Sequence, residues 1–384
     1  MAEGFHRLSD EQWNLVFRLS GRQTVTGIVF DGICRLPEDL QPSPAIFAQW
    51  VVAVDRIEGS NERMNDVLKS LVKLFADNGL SPVLQKGQGV GALYPEPLHR
   101  ECGDIDFYFP ERAENYMAVH LVRNCGAMVK TMPDGSQNYE WEGIEIEQHP
   151  TIVDLCSPRA GKWLKELDDD PGFIPSTLAD GLLVPSPELN ALLLNSHILK
   201  HTLGKGIGLR QMCDLAMVYH QISGAAGCQE CGERIFWLYR RGGILKWSRL
   251  LHSFLVDIIG LRKEELPYSE RIVPIVPLLR IVEEGGNFGQ YLSGSSGRRR
   301  GQSASVSVSR RTGQSAEGSL GAVKRKFHTA GMGRILIEVR SSGSVLDIYE
   351  TSQGTVQEVS DEQFTNIFIQ GGGTDVCCRR AGKL

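Results

Sequence analysis

The chain has 384 residues, of which 41% are hydrophobic and 23% charged, with a formal net charge of -5 at pH 7. This length predicts two or three compact units, and the negative charge disfavours general nucleic-acid binding by the whole chain. The sequence contains no run of about 18 apolar residues that would predict a membrane span. Because the first residues, MAEGFHR, lack the apolar segment of a secretion signal, we expect a cytoplasmic protein.

Two helices are predicted in the first 80 residues. Ser9 and Gln12 form a capping box that predicts a helix start. A second helix is predicted over residues 61–77, ended by Asn78-Gly79. Its apolar stripe consists of Met64, Val67, Leu68, Leu71, Leu74 and Phe75.

A short strand ending at Lys86 runs directly into a glycine-rich turn, Gly87-Gln88-Gly89-Val90-Gly91. Glycines there allow backbone N–H groups to approach a phosphate, and Lys86 supplies a positive charge. The Gly-Lys-Ser/Thr order of a Walker loop is missing. An ordinary flexible turn is therefore the alternative interpretation.

Two carboxylates, Asp104 and Asp106, follow in the segment GDIDFYF over residues 103–109. Residues two apart on a strand point to the same face, so the two carboxylates project together. Adjacent anions are costly without a cation between them, and oxygen ligands suit Mg²⁺. The pair indicates phosphoryl or nucleotidyl transfer with metal ions, and a solvated strand face is the alternative.

A helix is predicted over residues 111–124, followed by strands near 127–131 and 139–149. In the alternating segment WEGIEIEQH, Glu145, Glu147 and His149 share one face. If this strand lies beside the Asp104 strand, it brings a third carboxylate to the same metals. A half-exposed strand with a polar outer face is the alternative.

The remainder to about residue 283 is predicted to be helical. Ser186-Pro187 starts a helix that ends at Gly204, and further helices are expected over 208–222, 233–241, 244–259 and 270–283. His197 and His201 are four residues apart on this helix and share one face. They are interpreted as a pair of metal ligands or, more simply, as histidines of a cleft wall.

Basic residues of this helical region are candidates for triphosphate binding, namely Lys200, Lys205 and Arg210. For Arg210, an ion pair with Asp214 on the helix surface is the alternative interpretation. The nine cysteines are irregularly spaced, which indicates reduced thiols. The single CxxC pair, Cys228 and Cys231, has no second pair to complete a zinc site, so zinc is disfavoured.

The C-terminal part differs in composition. Residues 293–321 are rich in Gly, Ser and Gln with basic clusters, which predicts a mobile linker or, alternatively, an electrostatic arm for RNA. Beyond it, residues 334–340 and 345–350 alternate as a β-hairpin, and a short helix is expected near 360–369.

Several of these segments together resemble the bacterial nucleotidyltransferases of the DNA polymerase β superfamily, in particular an uncharacterised group common in gut Bacteroidetes. They are Leu84-Gln85-Lys86-Gly87, Tyr94-Pro95, Arg100 and Gly103-Asp104-Ile105-Asp106. The resemblance continues through Glu147-Gln148-His149 and residues 206–214, and covers about residues 10–290. It departs from the superfamily at Gln88, where Ser or Gly is usual, and in the long gap from Gly87 to Asp104.

The resemblance implies an α+β fold with a small mixed β-sheet nucleotidyltransferase core and flanking helices, then a helical domain and a short β-containing C-terminal tail. The expected segments are an N-terminal helical region (1–80), the catalytic core (81–180), the helical domain (181–290), the basic linker (291–330) and the tail (331–384). The implied metal ligands and catalytic residues are Asp104, Asp106 and Glu147, with Glu145 as competitor for the third carboxylate. The implied nucleotide-binding residues are Lys86, Gly87, Gln88, Arg100, Lys200 and Arg210.

The implied activity is a Mg²⁺- or Mn²⁺-dependent transfer of a nucleoside monophosphate from an NTP, expected to be ATP, to an acceptor hydroxyl, with release of pyrophosphate. Two alternatives remain at this point. One is a non-catalytic module that binds a nucleotide or a partner protein on the same fold. The other is a toxin-like enzyme that modifies RNA, with the basic linker contacting the RNA.

Overall fold

The computed structural model describes residues 7–153, 172–204 and 206–285, together with the backbone of three strands in the C-terminal part. The chain divides into two compact units; the first contains the described residues up to 285 and the second contains the three strands. Lys205, the Gly/Ser-rich residues 293–321 and the helix expected near 360–369 lie outside the described residues.

The chain begins with three helices, α1 (Asp10–Gln23), α2 (Thr26–Ile33) and α3 (Pro44–Asp77), with a short 3₁₀ turn at Glu38–Leu40. The predicted capping box is confirmed, because Ser9 Oγ accepts from the Gln12 N–H at 3.3 Å and the Ser9 N–H donates to Gln12 Oε1 at 2.9 Å. It satisfies two backbone N–H groups at the helix start.

The predicted start of the second helix at residue 61 is wrong, because α3 begins at Pro44 and has 34 residues. Pro44 suits the first helical position, where a backbone N–H has no intrahelical partner. Buried Ile46, Trp50 and Val54 follow at helical spacing of four and extend the apolar stripe toward the N-terminus.

Seven strands form one mixed sheet in the described part of the first unit. They are β1 (Val83–Gln85), β2 (Ile105–Tyr108), β3 (Lys130–Thr131), β4 (Gln137–Trp141), β5 (Ile144–His149), β6 (Phe173–Pro175) and β7 (Leu183–Pro185). Their order is β3-β4-β5-β2-β1-β7-β6. β2 pairs with β5 and β1 with β7 in parallel, whereas the other neighbours are antiparallel. The predicted α+β fold with a mixed sheet is confirmed.

The strand predicted over 139–149 is instead a β-hairpin, β4 and β5, with Trp141 paired to Ile144. Glu142 and Gly143 form the turn with φ of 50° and 81°. Two successive residues with positive φ match the twist of an antiparallel pair, which is why two-residue hairpin turns take this form. The alternating pattern of residues 141–149 therefore spans the turn, and only its part from Ile144 onward belongs to the strand that carries Glu147 and His149.

One face of the sheet packs against α3 and against α5 (Arg112–Asn124). Phe75 of α3 meets Phe107 and Phe109 edge to face, with ring centroids 5.6 and 5.3 Å apart. Leu84 and Ile146 belong to the same buried cluster. Because side chains alternate along each strand, this packing directs the intervening polar residues to the opposite face.

Five longer helices follow the sheet: α6 (Pro187–Leu203), α7 (Leu209–Gly224), α8 (Cys228–Gly242), α9 (Leu245–Phe254) and α10 (Val276–Gly285). Leu255–Ile259 continues α9 as a π-helical turn, and Lys263–Glu265 is a 3₁₀ turn. The predicted cap of α6 is confirmed, because Ser186 Oγ accepts from the Leu189 N–H at 3.3 Å.

Two predicted helix starts are wrong. The helix predicted from 233 begins at Cys228, and the one predicted from 270 begins at Val276. Pro274 precedes the second start and disfavours the helical conformation of the residue before it, so the helix forms only beyond that point.

Gln23 connects α1 to the helical region. Its Nε2 donates to the Val282 carbonyl of α10 at 2.9 Å, and its Oε1 accepts from the Leu209 N–H at the start of α7 at 3.0 Å. The donor and the acceptor of this buried side-chain amide are therefore both hydrogen-bonded, and they connect three helices that are far apart in sequence.

The second unit contains the antiparallel strands β8 (Ala322–Lys326), β9 (Ile335–Arg340) and β10 (Val345–Glu350), in the order β10-β9-β8. The predicted hairpin of β9 and β10 is confirmed. β8 falls in the segment predicted as linker (291–330), because a short basic strand lacks the apolar content that marks a strand in sequence. Among the described helices, none combines the length and apolar character needed to cross a membrane.

A partly buried ionic bridge joins α2 and α3 through His99, which ends the 3₁₀ turn Pro97–His99. His99 Nδ1 lies 2.6 Å from Asp31 Oδ1 and Nε2 lies 2.8 Å from Glu58 Oε1. Gly27 permits this approach, because a Cβ there would lie 2.3 Å from the His99 carbonyl oxygen. The hydrogen bond to Asp31 is the main reason that the pKa of His99 is raised to about 9.

Raising the pH through this pKa is expected to destabilise the fold. The imidazolium bridge contributes its full stabilisation below the ordinary histidine pKa of 6.5, and this is lost as the pH rises toward about 9. We expect the free energy of unfolding to fall by about 2 kcal/mol over this window, discounted because Asp31 is itself costly to bury. Urea unfolding of wild type and His99→Gln at several pH values measures it; an equal pH dependence in both proteins would contradict the bridge.

Candidate active site

The two carboxylates singled out in the sequence lie at the start of the central strand β2. Asp104 directly precedes β2, and Asp106 is paired in register with Gln85 of β1 and Glu147 of β5. Their neighbours Ile105 and Phe107 are fully buried on the face covered by α3 and α5. Asp106 and Glu147 therefore project from the opposite face of the sheet, and Asp104 lies next to this face at the residue before β2.

Asp106 is the most enclosed of the three, with 4% of its surface exposed. Its Oδ1 lies 3.3 Å from Lys86 Nζ and 2.6 Å from His149 Nε2. Burial favours a raised pKa for Asp106, but the Lys86 charge and the His149 hydrogen bond outweigh it and hold the pKa below its ordinary value. Asp106 is thus an ionised carboxylate with two positively polarised neighbours.

Asp104 has the opposite electrostatic character. The negative charge of Asp106, followed by burial, raises the pKa of Asp104 to about 6, against the opposing charges of Lys86 and Arg210. The nearby cations therefore do not fully compensate the two carboxylates. A third negative group, Glu147, adds to the same repulsion. An added divalent cation would relieve this repulsion, so the donor set fits a metal ion.

The structure distinguishes the two candidates for the third carboxylate. Glu147 is half-buried opposite Asp106, and ligand atoms of Asp106, Glu147 and His149 all lie within 4.8 Å of one another. Glu145 is exposed and pairs with Glu140 at the outer strand β4. Glu147 is the carboxylate that the sheet register brings to Asp106.

The glycine-rich turn lies beside these carboxylates. Lys86 and Gly87 have φ of 48° and 41°, which turns the chain sharply after β1 into the short helix α4 (Gly87–Gly91). A Cβ on Gly87 would lie 3.6 Å from the Asp104 carbonyl oxygen, so the turn and the start of β2 are in close contact. The Gln88 side chain is 5% exposed, and neither of its amide atoms has a hydrogen-bond partner among the described residues.

The two arginines predicted to bind nucleotide have different surroundings. Arg100 is buried, and its Nε and Nη2 donate to the two oxygens of Asp214 at 3.1 and 2.5 Å. Asp214 Oδ1 also accepts from Tyr94 Oη at 2.9 Å. Asp214, weighed from sequence as the partner of Arg210, is thus hydrogen-bonded by Arg100 instead.

Arg210 interacts electrostatically with Asp104. Its Nη1 donates to the Glu101 carbonyl at 2.8 Å, whereas its Nε is buried without a partner among the described residues. The Arg210 charge lowers the pKa of Asp104. Of the two arginines, Arg210 is the one with a donor left to offer a ligand.

Helix α6 contributes His197, His201 and Lys200. The rings of His197 and His201 have centroids 4.3 Å apart. Burial, followed by the charges of Lys86 and of neighbouring residues of α6, holds the pKa of His197 well below its ordinary value, so this ring is neutral. The interaction with Lys86 locates α6 near the carboxylates.

Other metal arrangements considered from sequence find no support within residues 7–153, 172–204 and 206–285. The three-residue group of potential metal ligands there contains neither the α6 histidines nor Cys228 and Cys231. Burial and a hydrogen bond with Glu188 raise the pKa of the Cys231 thiol to about 11, which disfavours the thiolate that zinc requires.

One residue of the site received no role from sequence. His149 was predicted to share a face with Glu147, yet its contact with Asp106 depends on the parallel pairing of β2 and β5. The signal available in sequence was its position two residues after Glu147 on an alternating strand. A histidine there is equally typical of a polar strand face, so the pattern alone could not assign it.

Comparison with known proteins gives one match. The model of a family described as an uncharacterised nucleotidyltransferase matches residues 9–231, which is more than half of the chain and includes every site residue named above. No curated protein and no solved structure matches the chain significantly.

Proposed function

The chain belongs to this family of uncharacterised nucleotidyltransferases, and from this premise we propose that it transfers a nucleoside monophosphate from an NTP, ATP in the first instance, to an acceptor hydroxyl. The observation that carries the proposal is the pairing of Asp106 with Glu147 on one face of the sheet, together with the charge repulsion that both exert on Asp104. The repulsion that raises the pKa of Asp104 to about 6 is an electrostatic cost that a bound divalent cation would relieve.

In the proposed reaction the acceptor oxygen bonds to the α-phosphorus, and the bond from the α-phosphorus to the bridging oxygen breaks, which releases pyrophosphate. Asp104, Asp106 and Glu147 would hold Mg²⁺ or Mn²⁺, which when bound neutralises charge on the phosphates. Glu147, which is half-buried, accepts the proton of the acceptor hydroxyl.

The cations of the site bind the triphosphate in this proposal. Lys86 Nζ lies 3.3 Å from Asp106 Oδ1, the Arg210 charge lowers the pKa of Asp104, and Lys200 belongs to α6. Gly87 lets the turn approach the phosphates, and the Gln88 amide offers a donor group and an acceptor that have no hydrogen-bond partner within the described part of the chain. Arg100, held by Asp214, positions the segment before Asp104 rather than contacting the nucleotide.

Glu147→Gln is expected to lower the rate of transfer by at least about 100-fold, because it removes a charge next to Asp106 and a proton acceptor. Glu145→Gln, two residues earlier on the same face, is the matched control and is expected to change the rate by less than about threefold. Initial rates of pyrophosphate release compare the two. A loss of activity in the Glu145 variant alone would identify Glu145, not Glu147, as the third carboxylate.

The proposed function is tested by label transfer from each of the four α-labelled NTPs, with Mg²⁺ or Mn²⁺ and cell extract as the source of acceptors. Label in a small molecule, a protein or RNA identifies the acceptor class, and label confined to RNA selects the RNA-modifying alternative. Metal-dependent NTP binding without any label transfer would favour the non-catalytic module and overturn the proposal.

A further inference from the structure

His149 is held between two of the proposed metal ligands. Its Nε2 lies 2.6 Å from Asp106 Oδ1 and its Nδ1 lies 3.8 Å from Glu147 Oε1. Both carboxylates face the ring because β2 and β5 pair Asp106 with Glu147, and His149 follows two residues later on the same face. The ring is therefore hydrogen-bonded to Asp106 on one side and lies beside Glu147 on the other.

A cation can reach this group from solvent. The side chains of His149 and Glu147 are 20% and 23% exposed, whereas that of Asp106 is 6% exposed and anchors the group from the sheet side. The ligand atoms lie within 4.8 Å of one another, so one ion can touch all three. In the structure, Asp106 Oδ1 is shared by Lys86 and His149, and a bound cation has to compete with both for that oxygen.

We propose that His149 is a metal ligand of this centre together with Asp106 and Glu147, and that the centre therefore prefers a first-row transition-metal ion over Mg²⁺. Mg²⁺ prefers oxygen ligands and usually keeps several bound waters. An imidazole nitrogen instead increases the affinity for transition-metal ions such as Mn²⁺, Co²⁺ and Zn²⁺, and this affinity is higher for Co²⁺ than for Mn²⁺. Ligation by His149 specifies the metal of the proposed function. Only the claim that this metal centre is catalytic rests on the proposed function.

A competing role for His149 is to orient Asp106 through their hydrogen bond without touching the ion. The two roles differ in what they do to metal selectivity. A residue that only orients Asp106 affects every metal that uses this carboxylate by a similar factor. A nitrogen ligand affects Co²⁺ far more than Mg²⁺.

The test is metal binding by the full-length protein without nucleotide. Calorimetric titrations with Mg²⁺, Mn²⁺ and Co²⁺ compare wild type, His149→Asn and His120→Asn, an exposed histidine of α5 as the matched control. We expect wild type to bind Co²⁺ more tightly than Mg²⁺. In His149→Asn, Co²⁺ affinity falls at least about 10-fold and Mg²⁺ affinity less than about threefold. Equal losses for both metals, or no loss, would overturn the proposal.

A spectroscopic measurement on the unaltered protein keeps the proposal testable if the variant fails to fold. Pulsed electron paramagnetic resonance of bound Mn²⁺ is expected to show coupling to an imidazole nitrogen, and its absence would refute ligation by His149. The outcome is separable from the proposed function. Nitrogen-coupled metal binding without transfer from any NTP would defeat only the function, whereas transfer with an all-oxygen metal site would defeat only this inference.

Discussion

Asp106→Asn is expected to lower the rate of nucleotidyl transfer by at least about 1,000-fold, the largest effect on activity of any single change. Asp106 has the lowered pKa of an ionised carboxylate, and it lies between Lys86 and His149 on the strand that leads out of Asp104. The amide keeps the shape of the side chain but removes the negative charge. A metal ion needs this charge for binding, and Lys86 pairs with it.

The control for this change is Asp66→Asn on the exposed face of α3, where the Asp66 side chain is 81% exposed. It is expected to leave the rate unchanged within about twofold. Steady-state pyrophosphate release gives both rates, and thermal unfolding verifies that each variant is folded. A folded Asp106→Asn protein with more than a tenth of wild-type activity would remove Asp106 from the catalytic centre.

Asp214→Ala is expected to lower the free energy of unfolding by about 3–5 kcal/mol, the largest effect on stability. Asp214 is 1% exposed and accepts hydrogen bonds from Arg100 and Tyr94, so its loss leaves a buried guanidinium without its counter-ion. Arg100 belongs to the segment that enters β2, and its carbonyl accepts from Asn61 of α3 at 3.0 Å. The substitution is therefore also expected to make the position of Asp104 less well defined.

Urea unfolding measures the stability change, and two further variants separate its causes. Tyr94→Phe removes one hydrogen bond to Asp214 and is expected to cost about 1 kcal/mol. The double variant Arg100→Met/Asp214→Leu removes both charges and is expected to recover at least half of the loss, because Arg100 is then no longer a buried cation without its counter-ion. If Asp214→Ala costs no more than Tyr94→Phe, the buried ion pair is not what stabilises this region.

The features that sequence predicted correctly are those encoded by local periodicity. The shared face of Glu147 and His149 follows from the two-residue repeat of strand β5, as predicted. Helix caps at Ser9 and Ser186 are equally local, because a side-chain oxygen and a backbone N–H three residues apart decide them.

What sequence could not predict depends on contacts between distant residues. Arg100 and Asp214 are 114 positions apart, so the spacing of Asp214 from Arg210 on one helix indicated the wrong partner. Likewise, the contact of His149 with Asp106 arises only once β5 pairs in parallel with β2. The missed turn at Glu142-Gly143 is local, yet it required a left-handed conformation of a glutamate, which sequence patterns rarely indicate.

The central claim is that the carboxylates on this sheet face carry out nucleotidyl transfer. Its most direct test is transfer of label from α-labelled ATP in the presence of Mn²⁺ and cell extract, with wild type beside the Asp104→Asn/Asp106→Asn protein. We expect labelled acceptor and released pyrophosphate with wild type, and neither with the folded double variant. Equal labelling by both proteins would contradict it, because the reaction would then proceed without the proposed centre.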